Sequence, residues 1–340
     1  MNKKETMSHR QLLVLPDDGV QPLVRAIDAA KEHLAIKMFL FSDPVLMQAV
    51  IAAHRRGVAV QVMLNPHRHN GTVENEATHM ELESAGIAVK ETHPSFRVTH
   101  EKTMIIDRKA AFIHSLNWEG RNLAGSRDYA IMTTNPQEVQ EVLLCFQSDW
   151  LRENFRTANE SSLIWCTGNG RERIAGFIDK AKHTLFIQND RIQDLVIIER
   201  LVRAAHRGVK VHVMARPAHS LKKDKLVEGV GGLRILHDVG IRVHDINHLR
   251  LHGKLLLADG CRAIVGSINL SPGSFDERRE LAIEVDDRHV LERLEKTAHH
   301  DWKHSYPLDL TDAGLLKDLE MRSLDEISLL ALQPKGKKPQ

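Results

Sequence analysis

Apolar residues along the chain follow two periods that replace one another in short succession. Residues 12–15 form a short apolar run, and residues 20–33 carry apolar positions at helical spacing. Residues 34–41 read as a strand, and residues 44–56 as a helix stopped by Gly57. Val58, Val60 and Val62 then alternate with Ala59 and Gln61, which predicts a strand over residues 58–64. A helix over residues 73–85, ended by Gly86, comes next. Closely spaced strands follow at residues 87–91, 97–107, 110–115 and 128–133, and a helix over residues 136–154 closes the series. Helices interleaved with strands in this way predict an α/β fold with helices on both faces of a mixed sheet.

The series then starts again. Ile27-Asp28-Ala29-Ala30-Lys31 returns as Ile178-Asp179-Lys180-Ala181-Lys182, and Gly57-Val58-Ala59-Val60 returns as Gly208-Val209-Lys210-Val211, both displaced by 151 residues. Asp149-Trp150 returns as Asp301-Trp302, displaced by 152. A period this long is not that of a solenoid, whose repeats run to roughly 20–50 residues. The expectation is two tandem lobes related by a pseudo-twofold axis, over residues 11–155 and 160–306, with a C-terminal helix and basic tail over residues 307–340. The seam between such lobes brings equivalent side chains face to face and is where a ligand site is expected.

The polar residues that recur are therefore the ones to follow. Thr99-His100-Glu101-Lys102 through Asp107 matches Leu251-His252-Gly253-Lys254 through Asp259, each a His-x-Lys-x4-Asp. On a strand of period two, His100 and Lys102 share a face, as do His252 and Lys254, whereas Asp107 and Asp259 point elsewhere. A structural role in tying down the following turn is expected for both aspartates. Ser115 and Asn117 recur as Ser267 and Asn269, and Asp128, in Arg127-Asp128, recurs as Glu280, in Arg279-Glu280.

These side chains suit substitution at phosphorus. A neutral imidazole attacks while a protonated one donates to the leaving oxygen. Lys102 and Lys254, with Ser115, Asn117, Ser267 and Asn269, would hold the phosphate oxygens and stabilise the charge of the transition state. Asp128 and Glu280 would each bond the second nitrogen of a histidine and fix its tautomer. Such a scheme calls for no metal and no cofactor. Elsewhere, His67-x-His69 and His299-His300 lack a cysteine or carboxylate at ligand spacing and read as solvated surface.

The duplicated His-x-Lys-x4-Asp, with Gly266-Ser267-Ile268-Asn269 after the second copy, resembles the phospholipase D superfamily over roughly residues 12–304. The resemblance implies a phosphohistidine intermediate, with His100 as nucleophile and His252 as acid and then base, and water or an alcohol as acceptor. Ser271-Pro272-Gly273-Ser274 and Arg278-Arg279-Glu280-Leu281 look like bacterial cardiolipin-synthase and phospholipase D relatives, which implies a phospholipid substrate. One departure is His114, which stands where the second copy has Gly266 and puts the close backbone approach there in question. The same residues would serve a nuclease acting on DNA or RNA, and a catalytically silent phosphate-binding protein is the alternative of another class.

Composition narrows this. With 340 residues, 42% hydrophobic and 27% charged, the chain buries a real core, which excludes a disordered tail or a mini-protein. Lys+Arg of 47 against Asp+Glu of 45 gives +2, so any phosphate site is local rather than a property of the bulk charge. An aromatic content of 4% leaves few platforms for stacking single-stranded bases, which counts against a nuclease. Three scattered cysteines make neither a disulfide framework nor a zinc ribbon, and fit a reducing compartment. The polar start, residues 1–9, predicts no export, and no apolar stretch reaches the ~18–20 residues a span requires. A cytoplasmic protein with peripheral contact at the inner membrane surface is expected. Cardiolipin synthases usually carry spans, so their absence favours hydrolysis. Lys222-Lys223-Asp224-Lys225 reads as a solvated turn. The stripe Leu315, Leu316, Leu319, Leu324, Ile327 and Leu330 reads as a helix packed on the protein's own lobes, since its polar face is acidic. Both lobes lie in one chain, so a monomer suffices for a complete site.

Overall fold

A computed structural model of the chain describes residues 9–66, 75–158, 160–220 and 226–331. The first lobe runs β1 (Arg10–Leu15), α1 (Gln21–Asp28), β2 (His33–Met38), α2 (Pro44–Arg55), β3 (Ala59–Leu64), α3 (Glu76–Ser84), β4 (Ala88–Glu91), β5 (Val98–Thr99), β6 (Thr103–Ile106), β7 (Ala110–His114), α4 (Gly120–Gly125), β8 (Ser126–Thr133) and α5 (Pro136–Leu151). The second runs β9 (Leu163–Cys166), α6 (Gly170–Asp179), β10 (Thr184–Gln188), α7 (Leu195–His206), β11 (Lys210–Met214), α8 (Leu226–Asp238), β12 (Arg242–Ile246), β13 (Arg250–Leu251), β14 (Leu255–Ala258), β15 (Arg262–Gly266), α9 (Pro272–Asp276), β16 (Arg278–Val285) and α10 (Arg288–Lys303), followed by β17 (Ser305–Pro307) and α11 (Asp312–Ala331).

The sheets have matching orders, β1-β8-β7-β6-β2-β3-β4 and, with β9 in the place of β1, β9-β16-β15-β14-β10-β11-β12. Both are mixed: β2-β3-β4 and β10-β11-β12 are parallel, and the remaining pairs on these paths are antiparallel. Local chemistry repeats with them. Asp43 caps α2 by accepting from Val45 N and Leu46 N, and Asp194 caps α7 by accepting from Val196 N and Ile197 N. Gly57 and Gly208 turn the chain after these helices with φ of 92° and 87°, a conformation that glycine alone adopts at little cost.

β1 and the central strands feed two cores. Leu13 and Leu15 of β1 face the outer layer of the first lobe, whereas Val14 between them enters a cluster common to both lobes. That shared core joins Ile105, Ile113 and Ile131 of the first sheet to Leu255, Val265 and Ile283 of the second, closed by Phe146 of α5 and Leu294 of α10. The sheets thus pack back to back, and removal of the Phe146 ring would cost about 3–5 kcal/mol.

The expected 97–107 strand is broken. β5 ends at Thr99 and β6 starts at Thr103, so His100 and Lys102 lie in the gap rather than on one face of a strand. The cause is a change of partner: β5 pairs with β16 of the other lobe, β6 with β2 and β7 of its own. The first helix is shorter than its pattern, and α5 stops at Leu151, where Arg152 takes φ of 65°. Leu315 of α11 packs on the second lobe and Asp318 bonds His219, while Leu316 is exposed. His67, His69, Lys222-Lys223-Asp224-Lys225, the basic tail from Lys335 and the side chains of Leu324, Ile327 and Leu330 lie outside the described residues. No helix among the described residues is long and apolar enough to cross a membrane.

Candidate active site at the seam

The two breaks in the strands build the site. Val98 and Thr99 of β5 lie beside Arg278 and Arg279 of β16, and the next two amides, His100 N and Glu101 N, both donate to Arg279 O at 2.9 and 2.8 Å. Symmetrically, β13 lies beside Ser126 and Arg127 of β8, and His252 N and Gly253 N donate to Arg127 O at 3.3 and 2.7 Å. Each His-x-Lys segment is therefore fixed to the other lobe, one residue away from that lobe's carboxylate.

The pairing of histidine with carboxylate is consequently crossed. His100 Nδ1 lies 2.8 Å from Glu280 Oε2, and His252 Nδ1 lies 2.9 Å from Asp128 Oδ1. All four residues are buried. With Nδ1 occupied on each ring, Nε2 is the nitrogen left for chemistry. Lys102 Nζ donates to His100 O at 2.5 Å, and Lys254 Nζ to His252 O, which holds each ammonium beside its imidazole.

Symmetry fails next to the lysines. Phe39 meets the His100 ring edge-on at 4.9 Å, and Lys102 lies 5.2 Å from the same phenyl ring. The matching position in the second lobe, 151 residues on, is Asp190, whose Oδ1 lies 3.2 Å from Lys254 Nζ. His100 is driven well below the usual imidazole range by burial and then by Lys102, Lys254, Arg278 and His252. His252 is also lowered by burial, but Asp128 and Asp190 pull the other way. Burial and the nearby Lys254 bring Lys102 down to about 7 against the pull of Glu280 and Asp128. Burial raises Glu280. At Asp128 burial acts in the same sense, yet His252 and Lys254 hold the carboxyl below its usual range.

Behind the site, Arg127 spans the seam to Asp301 with Nε at 2.9 Å from Oδ2, and Arg279 reaches Asp149 at 2.7 Å. The Asp-Trp recurrence thus marks the anchors of the two strands that carry Asp128 and Glu280. The middle residue of each motif serves the same layer. Glu101 accepts from the buried Lys37 at 2.9 Å, whereas a Cβ at Gly253 would stand 2.7 Å from the Tyr129 ring, whose hydroxyl donates to Gln188. Glu101, Cys145 and Asp149 are the one group among the described residues spaced to hold a metal ion, but Lys37 Nζ lies 2.7 Å from Asp149 and 3.5 Å from Cys145. The cation of that cluster is the ammonium.

Several expected roles change. Ser115 donates to Asp128 at 2.6 Å and accepts from Tyr129 N, and Ser267 bonds Leu281 O and Leu281 N, so both hydroxyls are spent behind the site instead of on a phosphate. Asn117 and Asn269 are buried, each with an unpartnered Oδ1. Asp107 and Asp259 do not bind their following turns. Asp107 accepts from the amides of Lys31, Glu32 and His33, and Asp259 from those of Lys182, His183 and Thr184, clamping the start of β2 and β10. His114 is fully buried beside Phe112 and Trp118 with neither ring nitrogen bonded, and burial brings it down to about 3. A methyl group on its counterpart Gly266 would collide with the Ala282 backbone. His114 pairs with Ala130 as Gly266 pairs with Ala282, and its amide donates to Lys102 O at 3.0 Å, so the strand register survives the departure. His299 and His300 are exposed on α10. Sequence reasoning missed Phe39, Asp190 and Lys37, which belong to no motif. It had the signal for Arg127 and Arg279, each directly before its carboxylate.

A family model described as "Cardiolipin synthase, PLD-like domain" matches residues 23–150 and again residues 174–302. The chain belongs to this phospholipase D-like family. Its relatives include cardiolipin synthase B of Escherichia coli K12, 26% identical over an alignment of 335 positions that covers 84% of this chain and 78% of that protein. Among solved structures, a phosphatidylserine synthase of Haemophilus influenzae superposes with a TM-score of 0.73 at 11% identity, covering 95% of this chain and 94% of that one. A polyphosphate kinase of Porphyromonas gingivalis superposes with a TM-score of 0.70 at 16% identity, over 93% of this chain but 53% of its own length. At these identities the structures share the phospholipase D-like fold. The duplicated family match coincides with the two sheets that meet at the crossed histidines.

Proposed function

We propose that this phospholipase D-type enzyme cleaves or transfers the phosphodiester of a phospholipid through a phosphohistidine. The observation that carries the reading is the crossed pair, His100 on Glu280 and His252 on Asp128, with Lys102 and Lys254 beside them. In the first step His100 Nε2 attacks phosphorus as the bond to the leaving oxygen breaks, and that oxygen takes a proton from His252 Nε2. His252, now neutral, removes a proton from water or an alcohol, whose oxygen attacks phosphorus and releases His100. Lys102, Lys254, Asn117 and Asn269 offset the charge gathering on the phosphoryl oxygens. The order of roles is supported by the surroundings: burial, Lys102, Lys254 and Arg278 outweigh the bonded Glu280 at His100 and favour its neutral form, whereas at His252 Asp128 and Asp190 oppose burial and Lys254 and favour the protonated form. Lipid as substrate is supported by the cardiolipin synthase family match. Both halves of the site come from one chain, which supports a monomer as the active unit.

The test is a competition in one tube of purified protein, EDTA, phosphatidylglycerol vesicles and a single-stranded oligonucleotide, read by mass spectrometry. Phosphatidic acid identifies a hydrolase, cardiolipin a transferase. Shortened oligonucleotides with intact lipid would overturn the reading in favour of a nuclease, and turnover unaltered by both His100→Asn and His252→Asn would remove the histidines from the mechanism.

A further inference from the structure

We infer that the second lobe carries a docking groove for an anionic phospholipid at a bilayer surface, beside the reacting centre and distinct from it. The groove, about 570 Å³, lies between α7, α8 and the turn leading into α9, and is lined by Arg191, Arg278, Leu195 and Ile235. It joins the site directly: Arg278 bonds Ser274 Oγ at 3.4 Å, and Ser274 in turn donates to Glu280 at 2.8 Å.

Its two ends differ in chemistry. At the inner end, Arg191 and Arg278 have no carboxylate within ion-pair distance among the described residues, although Arg97 at the rim is paired with Glu277. Burial lowers Arg278 from the usual guanidinium range and Arg191 adds to this, against Glu280, Asp190 and Glu277, so an anion placed between the arginines relieves both. At the outer end, Leu195 is 74% exposed and Ile235 44%, with Val196 exposed on α7 and Val239 exposed in the turn after α8. Gly231 leaves the wall between them open, with nothing within 4 Å of a Cβ built there. A cationic end next to an apolar rim fits a phosphate joined to acyl chains. A nucleic acid would instead meet exposed aliphatic side chains where its bases need stacking faces.

The first lobe does not repeat this lining in its sequence. The positions that match Arg191, Leu195 and Arg278 are Leu40, Pro44 and Ser126, with Leu40 and Ser126 buried. Lipid therefore approaches the seam from the second lobe. Lys102, Lys254, Asn117 and Asn269 hold the reacting phosphate, so Arg191 and Arg278 are available to a second one. This inference rests on the phospholipid reading above and names the face through which that site meets its substrate.

The experiment is co-sedimentation of the full chain, made inactive by His100→Asn, with phosphatidylcholine vesicles that contain or lack phosphatidylglycerol. Binding is thereby read apart from turnover. Binding that depends on phosphatidylglycerol is expected. Arg191→Ala should weaken it about fivefold, as one basic residue does at an anionic surface. Leu195→Glu with Ile235→Glu should abolish it while circular dichroism and Tm stay those of the parent. Undiminished vesicle binding by these variants would overturn the inference even if the active enzyme consumes lipid. Loss of binding would sustain it even if the histidines prove silent. Binding of an oligonucleotide, but not vesicles, that Arg191→Ala releases would assign the groove to nucleic acid and overturn it as well.

Discussion

Asp128 and His252 stand 124 residues apart in the chain and are hydrogen-bonded in the fold, Oδ1 to Nδ1 at 2.9 Å. Because Asp128 is held ionised, the shared proton belongs to Nδ1, and the opposite nitrogen is presented to the substrate. Asp128→Asn offers an amide that can present the wrong tautomer. A loss of about 10²–10⁴-fold in kcat is expected for Asp128→Asn, and a similar loss for Glu280→Gln, with the far-ultraviolet spectrum unchanged. Steady-state kinetics on phosphatidylglycerol vesicles checks this, and near-normal kcat in either variant would separate the carboxylates from catalysis.

The rate should be bell-shaped in pH, with an optimum on the acid side of neutrality. His100 must be neutral to attack, and since its surroundings lower it well below 6.5, the acid limb lies well below 6.5 too. His252 must be protonated, and it loses its proton below 6.5; Lys102 must be charged, and it follows at about 7. Above both, log kcat/KM of the free enzyme should fall with a slope near −2, and Lys102→Arg, which cannot deprotonate there, should reduce the slope to near −1. A rate that climbs from about pH 6 to about pH 9 would contradict the scheme.

Asp301 receives both Nε and Nη2 of Arg127, at 2.9 Å each, inside the seam. Asp301→Asn leaves a buried guanidinium without its main counter-charge and should cost about 3–5 kcal/mol in urea unfolding. Replacement of a surface carboxylate such as Asp286, which is 81% exposed and lies 3.4 Å from Arg10, should cost about 1 kcal/mol or less. Equal effects would mean that the seam does not depend on this pair.

His114 gives the fold an acid weakness. Its folded-state value of about 3 lies under the unfolded 6.5, so the unfolded chain binds the extra proton between these limits. Stability from this residue is complete above about pH 6.5 and declines by up to ~1.4 kcal/mol per pH unit as pH falls toward 3. His114→Phe keeps the ring beside Phe112 and Trp118 and deletes two unpartnered nitrogens, so it should be neutral or stabilising near pH 7 and should flatten the acid decline. Chemical unfolding at several pH values decides it; an unaltered slope would remove His114 as the cause.

The chain's own pattern determined the duplication, the α/β class and the short list of chemically active side chains. Those properties are local: alternation at Val58, Val60 and Val62, helix stops at Gly57 and Gly208, and spacings that recur after 151 or 152 residues. Tertiary structure alone decided who pairs with whom. Nothing in either half states that β5 and β13 leave their own sheets, because a two-residue strand carries almost no periodic signal and its partner is chosen by backbone hydrogen bonds across the seam. That exchange gives Glu280 to His100 and Asp128 to His252, and turns Ser115 and Ser267 inward. It is also the fold that sets Phe39 beside one lysine and Asp190 beside the other, so that two histidines in equal motifs stand in unequal fields.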